Sequence, residues 1–155
     1  RYQTIAVIHF MGMVALCKTQ YFLGKKNSLE RTLQQLNELV DAQKHEYFYQ
    51  SLLVLKAEFT HLSGRINKAI SQIEQIPDIP LVPLSNFYSP QIGMVSILVH
   101  SDRPSDEQQA DDLLNKLDRL IDNTANSRFK IDTYLLKTHI ELNNERLLFV
   151  QINLK

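Results

Sequence analysis

Residues Ala57 to Ile73 read AEFTHLSGRINKAISQI and contain the end of one helix, a turn and the start of another. The turn is Ser63-Gly64-Arg65. Glycine takes a left-handed C′ conformation without steric cost, so Gly64 is expected there, ending a helix. Upstream, Leu52, Leu55, Ala57, Phe59 and Leu62 make a helix from about Glu46 broadly apolar. Downstream, Ile66, Ala69, Ile70, Ile73 and Ile76 form a stripe at helical spacing, which predicts an amphipathic partner. The small Ala57 and Ala69 let the two helices approach closely.

The same arrangement recurs on both sides. Tyr2 to Leu23 reads as a broadly apolar helix closed by Gly24 and two lysines. Asn27 with Glu30 has the form of a capping box for a second helix, whose stripe is Leu29, Leu33, Leu36, Leu39 and Val40. After the linker 77–85, rich in proline, Ser89-Pro90 predicts an N-cap with proline at N1 of a fifth helix running to about His100. Ser105 with Gln108 forms another capping box for a sixth helix bearing Leu113, Leu114, Leu117, Leu120 and Ile121. A seventh helix reaches about Leu142, and Glu145 to Leu154 starts an eighth. The turn anchors Gly24, Gly64, Arg103 and Asn143 lie 40, 39 and 40 residues apart. A fixed period of this size marks a helical-hairpin solenoid, because one helix pair cannot bury both faces alone. A globular bundle with evenly spaced loops is the alternative.

Composition agrees. Gly 4 and Pro 5 among 155 residues are about half the usual share of turn formers, which disfavours an all-β sandwich. Hydrophobic residues at 44% and charged residues at 22% are globular values. Lys+Arg 17 balance Asp+Glu 17, without the basic excess of a nucleic-acid binder. A single cysteine, Cys17, excludes an internal disulfide framework and fits a reducing, cytoplasmic setting. The apolar run Ile5 to Cys17 is interrupted by His9 and falls short of the roughly 18–20 residues that span a bilayer, so no membrane partner is expected. A chain beginning at Arg1 and ending at Lys155 in an apolar-periodic stretch reads as an excerpt of a longer polypeptide.

The stretch Ala57 to Ile73 resembles a tetratricopeptide-type hairpin. The order that follows, a proline-rich linker, a helix from Pro90, SDRPSDEQQADDLLNKLDRLID and NSRFKIDTYLLKTHIELNN, is more specific. It resembles the sensor repeats of large LuxR-type bacterial transcription regulators of the maltose-operon-activator kind, with their G-R-P-x-x-A-x-x-L-L-x-x-L segment. Asp102 takes the usual glycine position, Gln108-Gln109 lengthens the helix start, and Asn126-Ser127-Arg128 replaces a second Gly-Arg pair. The resemblance implies an ATP-binding switch domain upstream and a helix-turn-helix domain downstream, neither of them within this chain.

Chemistry-bearing residues are few. His61, His100 and His139 recur 39 residues apart. One reading is a histidine ladder lining a groove for an anionic ligand or a metal. The other is a helix-end histidine in each hairpin, favoured by the helix dipole. Repeats stacked about 10 Å apart would keep three histidines from sharing one ion at roughly 2.0–2.1 Å. His9 reads as a core histidine, His45 as a loop residue and Cys17 as a buried, inert thiol. Asp111, Asp112, Asp118 and Asp122, interleaved with Lys116 and Arg119, read as a solvated helix face. Tyr47, Phe48, Tyr49 and the pair Phe87, Tyr88 either form a binding patch or fill gaps between repeats. No phosphate loop, metal-spaced cluster or nucleophile motif is present.

The sequence therefore leads to an all-α, tetratricopeptide-like solenoid of about four helix pairs with a ~40-residue period. Its repeats cover 2–43, 46–76, 87–123 and 126–155. The expected function is non-enzymatic and needs no cofactor. It is a regulatory module that binds a protein, a peptide or a small inducer, with His61, His100, His139, Tyr47, Phe87 and Tyr88 as candidate contacts. A general protein–protein interaction scaffold is the alternative, and an all-α enzyme is disfavoured. Neighbouring repeats of its own longer chain are expected partners, and self-association through the apolar C-terminal helix is expected of the isolated segment.

Overall fold

The computed structural model describes residues 2–77, 89–122 and 131–142. The chain is all-helical, with no strand among the described residues. The helices are α1 (Tyr2–Phe22), α2 (Lys26–Gln43), α3 (Glu46–Leu62), α4 (Ile66–Ile73), α5 (Pro90–Leu98), α6 (Pro104–Asp122) and α7 (131–142). They cover more than 60% of the chain, as expected from the scarcity of turn residues. The start of the fourth sequence repeat, at 126–130, and the expected eighth helix lie outside the described residues.

The first two turns have the same hydrogen-bond pattern. Lys25 N–H donates to the Gln20 carbonyl and Gly24 N–H to that of Tyr21; Arg65 N–H donates to Thr60 and Gly64 N–H to His61. Each is a Schellman motif, and it requires the left-handed glycine that the sequence supplies: φ is +66° at Gly24 and +78° at Gly64. The third turn has no glycine and takes another route. Ser101 N–H donates to the Leu98 carbonyl. The Ser101 hydroxyl and Arg103 Nε both donate to the buried Asp106 carboxylate. Arg103 also reaches Glu74 at 2.7 Å, tying the end of α4 to the start of α6.

The helix starts differ in part from expectation. Ser89 does cap α5, its hydroxyl accepting from Ile92 N–H with Pro90 at N1. The two capping boxes do not form. Helix α2 begins at Lys26 with no side-chain cap, because the left-handed glycine turns the chain straight into the helix before Asn27 is reached. Helix α6 begins at Pro104, whose fixed φ suits N1, and Ser105 and Gln108 contact Asp106 and Asp112 instead. Helix α4 stops at Ile73 rather than Ile76, consistent with the extended bias that Pro77 imposes on the residue before it.

Helix α1 packs on α2, α3 on α4 and α5 on α6; α3 also meets α1, α2 and α5, and α4 meets α5. Two hydrophobic clusters result. The first joins Phe10, Val14, Cys17, Leu36, Val40, Phe48, Leu52, Leu55 and Phe59. Ring stacks fasten it: Phe10 on Phe48 at 4.8 Å and Tyr21 on Phe59 at 4.9 Å. The second joins Val54, Ala57, Ala69, Ile70, Ile73, Val95, Ile97, Leu98, Ala110, Leu114 and Ile140. The small Ala57 and Ala69 are fully buried between α3 and α4, as their size suggested. Gly93 allows a close approach of α5 to α3. A Cβ there would stand 2.9 Å from Val54 Cγ1 and 3.0 Å from Glu58 Cδ.

Polar links also cross between hairpins. Lys18 on α1 pairs with Glu58 on α3 at 2.9 Å. Lys56 on α3 donates to Asn37 Oδ1 on α2 at 2.7 Å, across 19 residues of sequence. Lys137 on α7 pairs with Asp118 on α6 across the same 19 residues. The membrane reading is corrected in one respect: the window Ile5–Phe22 within α1 is long and apolar enough to cross a bilayer by length and composition. Phe10, Met11, Val14 and Cys17 on that helix are buried in the first cluster.

Candidate functional site

The three histidines spaced 39 residues apart come together at one edge. His61 is in the last turn of α3, His100 lies two residues beyond α5, and His139 is in the last turns of α7. The His61 and His100 rings have centroids 4.7 Å apart with planes at 50°, and those of His100 and His139 are 4.9 Å apart at 36°. A spacing of about 10 Å between helix axes had suggested separated rings. The rings are nevertheless neighbours, each adjacent pair lying within 5 Å centroid to centroid. Among the described residues, no group of three His, Cys, Asp or Glu side chains has the geometry to hold one ion.

The three differ in exposure. His61 and His139 are half-buried and His100 is exposed. Burial, and then the neighbouring His100, hold the His61 imidazole below its ordinary pKa. His100 Nδ1 lies 2.8 Å from the Ser96 carbonyl. A carbonyl can only accept, so Nδ1 carries the proton and Nε2 keeps the lone pair in the neutral ring.

Beside His100 is an open hollow of about 400 Å³, lined by the second and third turns with Gly64, Arg65, Lys68, Ser101 and Asp102. A second hollow of about 440 Å³ lies between the first and second turns, lined by Tyr21, Lys26, Leu29, Leu33, Phe59 and Arg65 among others. Arg65 lines both. The sequence reading places Arg65 in the turn and gives Lys68 no role. The available signal was their position immediately after a turn that recurs with the histidines.

The other candidates are placed as follows. Tyr47 is only 5% exposed and belongs to the first core, where burial raises its phenol above the ordinary value against a hydrogen bond with Ser51 that lowers it. It fills the interior and does not form a surface patch; on the same helix Tyr49 is the exposed aromatic. Phe87 and Tyr88 lie outside the described residues. His9 is exposed, correcting its reading as a core histidine, since α1 turns that face away from α2 and α3. His45 precedes α3 and rests its ring on Phe48 at 5.0 Å. Cys17 is buried, and desolvation pushes its thiol up to about 11, which removes nucleophilic character at neutral pH. Asp111 and Asp112 are exposed and bonded to Asn115 and Gln108 on their own helix, as a solvated face requires. Compared with known proteins, the chain matches no family, no curated protein and no solved structure.

Proposed function

We propose that this chain is a non-catalytic helical-repeat module: a tetratricopeptide-like solenoid segment that binds a protein, a peptide or a small inducer along its turn edge. In this reading it is the cytoplasmic sensor region of a signal-responsive transcription regulator of the LuxR type. The observation that carries the reading is recurrence in three independent features. Two Schellman turns occur at Gly24 and Gly64. A lysine on the first helix of one hairpin reaches the second helix of the hairpin before it, at Lys56–Asn37 and again at Lys137–Asp118. Three histidines meet at the same edge. Equivalent residues make equivalent contacts, as units related by translation require. The two hollows flanking Arg65 are the places where an effector would seat.

A second reading, a general protein-interaction scaffold, is favoured by exposed apolar side chains on the first and last described helices. These are Ile5, Ile8 and Leu16 on α1, and Ile131, Tyr134 and Leu135 on α7. A thermal-shift screen of metabolites, nucleotides and short peptides separates the two. A ligand at about 100 times its Kd stabilises the folded chain by roughly 2.7 kcal/mol. At about 2–4 °C per kcal/mol for a chain of this size, that is a shift of several degrees. For a sensor that shift should disappear in Arg65→Ala. A flat screen, or a hit indifferent to Arg65, counts against the sensor reading.

A further inference from the structure

We propose that the histidine stack is a binding site for a single borderline transition-metal ion, such as Zn2+ or Cu2+, chelated by His100 with one of its two neighbours. The proposal stands on three geometric facts.

The first is ring spacing. Two imidazoles bound to one ion at roughly 2.0–2.1 Å hold their centroids about 4.5 Å apart at a right angle and about 5.2 Å apart at the tetrahedral angle. Both observed spacings, 4.7 and 4.9 Å, fall inside that interval. The second is the tautomer. The hydrogen bond between Nδ1 of His100 and the Ser96 carbonyl leaves Nε2 as the ring's one lone pair and fixes the ring's orientation. This is the second-shell arrangement usual for metal-bound histidine. The third is rigidity. The three rings are carried by elements that share one hydrophobic cluster: Ala57 on α3, Ile97 and Leu98 on α5 and Ile140 on α7 all belong to it. The elements that carry the rings are therefore held in place before the ion arrives, and the side chains need only turn their free nitrogens toward it. Arg65 and Lys68 on the adjoining rim oppose a cation, and Asp102 on the same rim favours it. No third protein ligand completes the shell among the described residues, so water fills the remaining positions. This is an open, exchangeable site rather than a structural one.

His100 is the member common to both pairs, and its single Nε2 lone pair serves one ion. That predicts one ion per chain and an unequal response to mutation. The test is calorimetric titration of the full chain with Zn2+ alone at neutral pH, with Cu2+ electron paramagnetic resonance as the second readout. Wild type should bind one equivalent, and the copper spectrum should show coupling to two imidazole nitrogens. His100→Ala removes both chelates and should weaken zinc binding by about tenfold or more, since the second ligand no longer acts at a high effective concentration. His61→Ala and His139→Ala each leave one pair, and each should weaken binding by no more than about threefold. His45→Ala should change nothing. His100 is exposed, so its variant should fold, and circular dichroism checks that it does. The proposal is overturned if His100→Ala binds as tightly as wild type. It is also overturned if His61→Ala or His139→Ala loses as much as His100→Ala, or if His45→Ala abolishes binding.

Discussion

Replacing Gly93 with alanine isolates the contact that holds α5 against α3. A methyl group at this position would sit 2.9 Å from Val54 Cγ1 and within 3.0–3.2 Å of the Glu58 carboxylate. Ordinary carbon–carbon contact is about 3.5–4.0 Å, so something must move by more than half an ångström. Val54 is fully buried and has a branched side chain that cannot swing aside. Glu58 is held by Lys18 at 2.9 Å, so displacing its carboxylate also disturbs the link to α1. Overpacking of this kind costs about 1–3 kcal/mol. Alanine also favours the helix over glycine by roughly 0.8–1 kcal/mol, which hides part of that cost. Gly12 supplies the control. It lies within α1, is exposed, and a Cβ there meets nothing within 4 Å. Gly12→Ala should therefore stabilise by about 0.5–1 kcal/mol. The difference between the two variants cancels the propensity term and reports packing alone, about 1–3 kcal/mol. At about 2–4 °C per kcal/mol, Gly93→Ala should melt several degrees below Gly12→Ala when both are followed by circular dichroism. Equal melting temperatures would refute the close approach of α5 to α3, one of the contacts that join the two hairpins.

Gly64→Val should destabilise by about 1–2 kcal/mol, from strain at positive φ alone, because nothing surrounds the added Cβ. A urea midpoint equal to that of wild type would count against the left-handed turn, and Gly64→Asn should recover part of the loss. The depressed pKa of His61 sets the sign of an acid response. As pH falls below the ordinary 6.5, the unfolded chain takes up the proton before the folded one does. Stability should therefore decline from that pH down to the folded value, and not above it. Melting curves between about pH 7 and 5 should fall less steeply for His61→Gln than for wild type, and parallel curves would refute the assignment.

The turns were legible because glycine is the only residue type that closes a helix in the left-handed conformation without strain. Gly24 and Gly64 therefore marked both position and geometry. The stripes on α2 and α4 were legible for the same local reason, and Leu36, Val40, Ala69 and Ile70 are buried as their spacing required. The capping boxes were misread because a cap depends on where the preceding turn delivers the chain. At Lys26 that turn starts the helix too early for Asn27 to cap it. Gly93 gave no sign of its role, since a glycine within PQIGMVSIL looks like any weak spot in a helix until α3 is placed beside it. The histidine edge was half legible: a 39-residue recurrence aligns residues but does not specify rotamers, and the rotamers bring the rings into contact.

Among helices α1 to α6, every contact between the α1–α2 pair and the rest of the fold is made with α3. That helix has buried residues on both sides, with Leu52, Leu55 and Phe59 in one core and Val54 and Ala57 in the other. Mechanically the two cores are links in series, with α3 as the shared pin. Among these six helices, load applied across the two cores is not divided among parallel seams but passes through this one helix. Among these six helices, a displacement of the α1–α2 pair reaches the histidine edge only by way of α3, which would have to tilt or rotate to carry it.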